Sequence, residues 1–209
     1  MKLSGRPLIY LISDGSIDEA NFDAGSDRFL KVVESAVRAH LPLVQIREKR
    51  LSARRLFELT KLAVAAAQDS ATKIIVNDRV DIALAAKADG VHLTSRSVAP
   101  EAIRKYFPAD LVVGASTHSL DELGAAAKGG ADFAVFGPIF ESSEKPAAQG
   151  LDALEKAVEF ARDFPVLALG GIDATNYKLV LETAAAGFAA IRFLNDIKSL
   201  EGLRAEFDL

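Results

Sequence analysis

Polar and glycine residues follow several short apolar runs of the chain, and their types suit a small phosphorylated ligand. Gly170 and Gly171 follow the run PVLAL, and Arg192 lies at the end of the run FAAIRF. A glycine pair before a helix start exposes backbone N–H groups to a phosphate, and arginine adds a bidentate donor. We predict a phosphate site at Gly170, Gly171 and Arg192. Taken alone, the glycines fit a tight turn with positive φ equally well.

A second set of candidate residues closes the run PLVQIREK. Gln45, Arg47 and Lys49 alternate, so their side chains would share one face of an extended segment. One amide and two cations on one face suit an anionic ligand. A solvated, salt-bridged strand end is the alternative for this segment in isolation.

The run KIIVND ends in one carboxamide side chain, Asn77, and one carboxylate side chain, Asp78. A helix is expected to start near Arg79, so at least one of the pair is expected to have an ordinary capping role.

The chain has three histidines, and only one is a candidate for proton transfer. His40 ends a predicted helix, and His92 lies inside an apolar run, where a buried, hydrogen-bonded imidazole is expected. His118 follows the run LVVGAST in the segment STHS. Histidine is the side chain that ordinarily titrates near neutral pH, so His118 is the predicted general acid and base.

Eight apolar runs alternate with helical segments, which predicts a (β/α)₈ TIM barrel of the α/β class in a single domain, residues 1–209. Such a barrel has its working groups at the carboxyl ends of its strands. An open doubly wound sheet would give similar local patterns, but eight units and the lack of a G-x-G-x-x-G segment after the first strand favour closure. The runs span residues 7–14, 42–49, 73–78, 90–95, 111–118, 133–140, 165–171 and 188–193.

Helical spacing of apolar residues predicts the connecting elements. The predicted helices cover approximately 26–40, 52–70, 79–88, 99–107, 119–129, 151–163, 174–184 and 196–206. One longer polar loop, residues 141–150, follows the sixth strand and is a lid candidate.

Composition excludes several other functions. The net charge of −4 comes without a basic block, which argues against nucleic acid or an anionic membrane surface as partner. The absence of cysteine excludes disulfides, thiolate catalysis and zinc–sulfur sites. No apolar stretch approaches the roughly 20 residues that span a bilayer, so we expect a soluble, cytoplasmic protein.

Five segments resemble the thiamine phosphate synthase/TenI superfamily in order and spacing. They are VQIREK (44–49), NDRVDIALAAKADGVHL (77–93), GASTHSLDE (114–122), ADFAVFGPIFES (131–142) and PVLALGGI (165–172). The resemblance implies a (β/α)₈ barrel, a cytoplasmic role in thiamine biosynthesis and a phosphorylated thiazole ligand. It leaves a homo-oligomer open.

The superfamily holds two chemistries. The synthase joins a hydroxymethylpyrimidine pyrophosphate to a thiazole phosphate with magnesium, and TenI-like proteins tautomerise a thiazole carboxylate phosphate. The resemblance implies substrate-binding roles for Gln45, Arg47, Lys49, Asn77, Ser116 and Lys145. It gives Asp78 a magnesium role only in a synthase.

Two segments depart from the synthase pattern. The synthase has a G-Q-x-D segment whose Asp binds magnesium, and this chain has Thr94 to Ser97 at that place. The synthase also has a T-x-T-K loop. This chain has Ser142 to Lys145 there, with Glu144 at the position of a hydroxyl residue. Both changes weaken a magnesium pyrophosphate site. The His of the TenI motif corresponds to His118.

A third departure affects both activities, because Arg192 and Phe193 replace the usual Ser-Gly or Ser-Ala after the eighth strand. The favoured hypothesis is a TenI-like tautomerase that uses His118 and needs no cofactor or metal. A magnesium-dependent thiamine phosphate synthase is the alternative, and a non-catalytic ligand-binding barrel is the second.

Overall fold

The computed structural model describes residues 7–141 and 147–207. Its eight parallel strands form a closed barrel in the order β1 to β8, and eight helices alternate with them. The predicted (β/α)₈ fold is therefore confirmed. The strands are β1 Leu8–Ile12, β2 Leu43–Ile46, β3 Lys73–Asn77, β4 Gly90–Leu93, β5 Val112–Thr117, β6 Phe133–Phe136, β7 Val166–Leu169 and β8 Gly187–Ala190.

The helices occupy all eight predicted positions. They are α1 Phe22–Arg38, α2 Ala53–Ala66, α3 Val80–Ala85, α4 Pro100–Tyr106, α5 Leu120–Lys128, α6 Leu151–Ala161, α7 Tyr177–Glu182 and α8 Ile197–Phe207. Serine starts two of them as expected: Ser52 Oγ accepts a hydrogen bond from Arg55 N–H at 3.3 Å, and Ser119 Oγ accepts one from Glu122 N–H at 3.2 Å. Among the described residues, no helix is both long and apolar enough to cross a membrane.

Two helix starts differ from the prediction by more than one residue, and α2 and α3 end four and three residues before their predicted ends. Helix α1 begins at Phe22 rather than Ser26, because Gly25 lies inside the helix against Ile17, whose Cγ2 is 3.0 Å from an ideal Cβ at that glycine. Helix α7 begins three residues late. A turn precedes it, in which Asp173 N–H donates to Asn176 Oδ1 at 2.9 Å.

Strands β3 and β7 have central residues that are apolar on both faces, which is typical of parallel strands covered on both sides. Ile74, Ile75 and Val76 of β3 are at most 1% exposed, and Val166, Leu167 and Ala168 of β7 are at most 2% exposed. This burial fixes the strands, and the residues that follow them become the candidate site.

The described chain divides into two compact units. The first unit contains residues 10–91 and 191–207, with β2 and β3, and the second contains residues 7–9, 92–141 and 147–190, with β5 to β8. Each unit is described by itself below. The single-domain assignment remains a prediction.

Candidate active site

Gln45 in β2 points into the packed interior of the first unit. Its side chain is 1% exposed, and its Nε2 donates a hydrogen bond to the Tyr10 hydroxyl at 2.9 Å. Burial raises the pKa of Tyr10 well above its usual value, and the Gln45 hydrogen bond opposes that shift only in part. The Gln45 amide is thus part of a buried polar pair.

The two predicted cations after β2 differ in exposure. The strand ends at Ile46, Arg47 is half-buried, and Lys49 is exposed in a turn. The alternation inferred from an extended segment up to Lys49 is wrong beyond Ile46, because the chain turns there. Arg47 is held through its backbone, since its N–H donates to Ser13 Oγ at 2.8 Å.

Glu48, between these cations, is a buried residue that sequence reasoning missed. It is 3% exposed and accepts two backbone hydrogen bonds, from Gly15 N–H at 3.1 Å and from Ile17 N–H at 2.9 Å. It ties the loop after β1 to the segment after β2. The sequence feature that could have drawn attention to Glu48 is its position as a carboxylate between two candidate ligand-binding cations.

Asp78 follows β3 in the left-handed region, with φ of +63°. The Arg79 N–H donates to the Asn77 carbonyl at 2.7 Å across it. The expected capping role is wrong: Arg79 is the N-cap residue of α3, and no side chain caps that helix. A non-glycine residue held in this region marks a position where backbone shape is under constraint, as functional sites often are.

The carboxylate of Asp81, three residues beyond Asp78, binds the Arg79 side chain. The guanidinium donates to both carboxylate oxygens, at 2.8 and 2.6 Å. These bonds lower the pKa of Asp81 and raise that of Arg79. The Arg79 and Asp81 side chains therefore bind each other at the start of α3.

The departure from the synthase pattern after β4 forms a closed turn. Ser97 Oγ accepts from Thr94 N–H at 2.8 Å and lies 3.1 Å from Thr94 Oγ1, while Ser97 N–H donates to the Thr94 carbonyl at 3.0 Å. The hydroxyl at the position of the magnesium-binding Asp thus stabilises its own loop.

His118, in the second unit, is exposed at the end of β5 and its ring is oriented by the protein. Its Nδ1 lies 2.5 Å from the Gly137 carbonyl oxygen, and its backbone N–H donates to Glu122 Oε2 at 2.6 Å. A carbonyl only accepts, so Nδ1 carries the proton and Nε2 of the neutral ring is the acceptor. His118 therefore presents a base at Nε2.

Ser116 and His92 form a separate pair. His92 is 3% exposed, and its Nε2 lies 2.9 Å from Ser116 Oγ. The expected buried, hydrogen-bonded imidazole is confirmed, and it gives Ser116 a structural partner below the strand end.

The glycine pair after β7 adopts positive φ, +104° at Gly170 and +66° at Gly171. A Cβ would lie 2.6 Å from Pro138 Cβ at Gly170 and 2.6 Å from the Glu141 carbonyl oxygen at Gly171. The tight-turn interpretation is therefore satisfied. Among the described residues no acceptor bonds the Gly171 N–H, so the phosphate interpretation stays a prediction.

The helix that was expected to assist these glycines is too distant in sequence. Helix α7 begins at Tyr177, after the turn that contains Asp173 and Asn176. Asn176 Nδ2 donates to the Gly171 carbonyl at 2.8 Å, which stabilises the turn instead. The backbone donors next to the glycine pair therefore belong to the loop and not to the first turn of α7.

Arg192 lies in a turn beyond β8, which ends at Ala190, and its side chain is exposed. Asn195 anchors this turn to the first unit, donating from Nδ2 to the carbonyls of Ile12 at 2.7 Å and Ile191 at 2.8 Å. In the described part of the chain Arg192 forms no ion pair, so its five donors face no protein anion there.

Lys145, with Glu144 of the same loop, lies outside the described residues. The far end of the lid candidate is described and tied down: Gln149 N–H donates to the Pro138 carbonyl at 2.8 Å and Gly150 N–H to the Ile139 carbonyl at 3.1 Å. The lid itself stays a prediction.

Comparison with known proteins identifies the family. Residues 9–194 match the TMP-TENI family, described as thiamine monophosphate synthase. A thiamine-phosphate synthase of Thermosynechococcus vestitus is 41% identical over 171 residues, which is 81% of this chain and 48% of that protein. The chain thus spans about half the length of that relative.

Two further relatives agree. A putative thiamine-phosphate synthase 2 of Aquifex aeolicus is 39% identical over 79% of this chain and 89% of its own length. The solved thiamine phosphate pyrophosphorylase of Pyrococcus furiosus has a TM-score of 0.78, 29% identity and 96% coverage of both chains. The protein is thus a (β/α)₈ barrel that belongs to the thiamine monophosphate synthase family, and the resemblance seen in its motifs is confirmed at that level.

Proposed function

We propose that this protein is a thiamine-biosynthesis enzyme that couples a pyrimidine pyrophosphate to a thiazole phosphate. The observation that carries the proposal is the family match over residues 9–194, together with relatives at 41% and 39% identity that have synthase names. Motif departures led the sequence analysis to favour a tautomerase. The names of the relatives favour the alternative that it kept open.

In this reaction the protein must bind two anionic substrates. Arg47 is suited to one of them because it is half-buried and its backbone is fixed by Ser13. Partial burial lowers the effective dielectric constant, which strengthens its attraction to pyrophosphate compared with the exposed Lys49. Asn77, at the end of β3, adds an amide in the same unit.

Gly170 and Gly171 of the second unit are the residues proposed to bind the thiazole phosphate, and Arg192, in the first unit, stays a candidate anion ligand. In TIM barrels phosphate sites commonly form from the loops after strands seven and eight. The glycine turn supplies a backbone N–H at Gly171, and the turn after β8 supplies the exposed guanidinium of Arg192. Both kinds of donor are strong partners for phosphate.

Magnesium is the ion that the synthase resemblance implies, and Asp78 is the residue that fits it. Mg²⁺ is usually held by one or two carboxylates, with waters and substrate phosphates completing its shell. Among the described residues no three His, Cys, Asp or Glu side chains form a metal cluster. Asp78 is the carboxylate that would hold the ion, and the ion would supply charge neutralisation for the pyrophosphate leaving group.

Proton transfer on a thiazole carboxylate phosphate is the second candidate, and the His118 geometry favours it. The Gly137 carbonyl keeps the proton on Nδ1, so Nε2 is available to accept one. A correctly placed general base typically contributes about 10²–10⁴-fold to a rate. This candidate requires neither pyrophosphate nor Asp78.

One experiment separates the candidates. The unaltered protein, Asp78→Asn and His118→Asn are incubated with each thiazole phosphate tautomer, with and without the pyrimidine pyrophosphate and magnesium. Asparagine tolerates left-handed φ, so Asp78→Asn removes the charge without new strain. Thiamine phosphate and both tautomers are followed by NMR, and ligand binding is checked by calorimetry.

A synthase should form thiamine phosphate, lose about 10²-fold or more of that rate in Asp78→Asn, and retain most of it in His118→Asn. A tautomerase would show the reverse dependence, with a drop of about 10²-fold in His118→Asn. If the unaltered protein binds the ligands but converts none of them, the non-catalytic ligand-binding barrel is the hypothesis that remains.

A further inference from the structure

Glu48 is a buried carboxylate without an ion-pair partner in the described part of the chain. Its charge is met by two backbone N–H groups, one on each oxygen, at 3.1 Å from Gly15 and 2.9 Å from Ile17. A buried charge that loses such donors is strongly destabilised. The loop after β1 is thus fixed at two points by one side chain of the next strand end.

That loop lies directly against Arg47. An ideal Cβ at Gly15 would be 3.7 Å from the Arg47 carbonyl oxygen and 3.9 Å from Arg47 Nη1. Gly15 has φ of +76°, so the loop makes this approach in a conformation suited to glycine. The Arg47 N–H donates to Ser13 Oγ, which belongs to the same loop.

Burial and position distinguish Glu48 from Glu19, a second carboxylate that joins these segments. Glu19 accepts from Ser52 N–H at 2.7 Å, but its side chain is 54% exposed, and it bonds a residue five positions beyond Arg47. Glu48 is adjacent to Arg47 in sequence and holds Gly15, whose ideal Cβ position is 3.9 Å from Arg47 Nη1.

We infer that Glu48 is a positioning residue that fixes the loop after β1 against Arg47 and so orients its guanidinium for an anionic substrate group. The inference rests on the proposed function only in giving Arg47 an anion to bind. Glutamine cannot replace Glu48, because its amide NH₂ would face one of the two backbone donors.

A double-mutant cycle on the full chain tests the inference. Binding of inorganic pyrophosphate is measured by calorimetry for the unaltered protein, Glu48→Gln, Arg47→Ala and the double variant. Glu34→Gln, which removes the same charge from the exposed face of α1, is the matched control. Hydrogen exchange of the Gly15 and Ile17 amides reports whether the loop is released.

Glu48→Gln should weaken pyrophosphate binding about tenfold or more, because a small displacement of a binding group has effects of that order. The Gly15 and Ile17 amides should exchange faster, and Glu34→Gln should change neither property. In the Arg47→Ala background, Glu48→Gln should cause no further loss, since it acts through Arg47.

Independent losses in the double variant would overturn the inference, as would unchanged affinity in Glu48→Gln despite faster amide exchange. Absence of pyrophosphate binding by the unaltered protein would also overturn it. Binding with the expected cycle but no thiamine phosphate formation would instead remove the proposed synthase activity alone. If Glu48→Gln does not fold, Glu48→Asp, which keeps the charge on a shorter side chain, should show the same direction of change.

Discussion

The loops of the two units are held in different ways. In the first unit, side chains make the ties: Glu48 binds the backbone of Gly15 and Ile17, and Ser13 binds that of Arg47. In the second unit, side chains such as His118 and Asn176 also bond to backbone, but in addition two backbone segments approach each other directly. The Ile139 N–H donates to the Leu169 carbonyl at 2.9 Å, and the Phe140 N–H to the Gly170 carbonyl at 3.0 Å.

This difference determines how each unit tolerates substitution. A side-chain tie is lost one hydrogen bond at a time, at a net cost of about 0.5–1.5 kcal/mol each, or more with a charged group. Where two backbone segments approach so closely that no Cβ fits between them, any side chain at that position prevents the contact. Substitutions in each unit can test this contrast.

Gly137→Ala should lower the free energy of unfolding by about 3 kcal/mol or more, or prevent folding, because overpacking against a rigid backbone cannot relax. An ideal Cβ there would lie 1.9 Å from the Leu169 carbonyl oxygen. Chemical denaturation measures the change. The control is Gly202→Ala in α8, where nothing lies within 4 Å and about 0.5–1 kcal/mol of stabilisation is expected. A mild effect at Gly137 would disprove the steric contrast.

Arg192→Ala should weaken inorganic phosphate binding by about 1.5–3 kcal/mol, the range for a hydrogen bond to a charged group. This variant tests the contrast on the ligand side, because Arg192 is predicted to bind phosphate through its side chain and Gly171 through its backbone. Calorimetry provides the measurement, with the exposed Arg204→Ala as control. If the unaltered protein and Arg192→Ala bind phosphate equally well, Arg192 is not a ligand. Phosphate would then be bound by backbone donors alone, or the predicted phosphate site would not exist.

Tyr10→Phe should destabilise the protein by about 1–2 kcal/mol at neutral pH, because it leaves the buried Gln45 Nε2 without this acceptor. Since burial raises the folded-state pKa of Tyr10, the folded state keeps a proton that the unfolded chain releases above about pH 10.

The stability of the unaltered protein should therefore decline above about pH 10 relative to Tyr10→Phe, by up to about 1.4 kcal/mol per pH unit. Urea denaturation at pH 8 to 11 measures this difference. Tyr106→Phe, at a residue that is 70% exposed, is the control and should change little. A constant difference across this pH range would contradict the assigned role of burial.

Ala184→Gly should stabilise the protein by about 0.5–1 kcal/mol, because Ala184 adopts φ of +60° after α7. Ala125→Gly, at an exposed position inside α5, should destabilise by a similar amount. Thermal unfolding of both variants checks the opposite signs. Destabilisation by Ala184→Gly would show that this alanine contributes more through packing than it loses through its backbone conformation.

Most of the fold could be predicted because it depends on local pattern. Runs such as KIIVN are apolar at nearly every position, which is typical of strands covered on both faces. The exceptions are positions where a tertiary contact decides. Gly25 was interpreted as preceding α1, but it lies within that helix because the close approach to Ile17 requires a residue without a side chain.

The candidate site was only partly predictable from sequence. The residue types and the barrel that carries them follow from the order of the runs, because parallel strands with helical crossovers put their polar ends together. Sequence could not assign the buried state of Gln45, the turn after Ile46 or the ring orientation of His118. Each depends on a partner distant in the chain.

The sequence by itself determined the (β/α)₈ class and the family, because apolar periodicity and motifs are properties of short segments. The residues that it offers for a phosphorylated ligand stay a prediction. Only the tertiary structure assigned Glu48 to the backbone of Gly15 and Ile17 and Gly137 to the contact with Leu169. These partners lie 31 to 33 residues apart in the first case. Contacts at such separations depend on how the chain packs as a whole, and no local pattern specifies them.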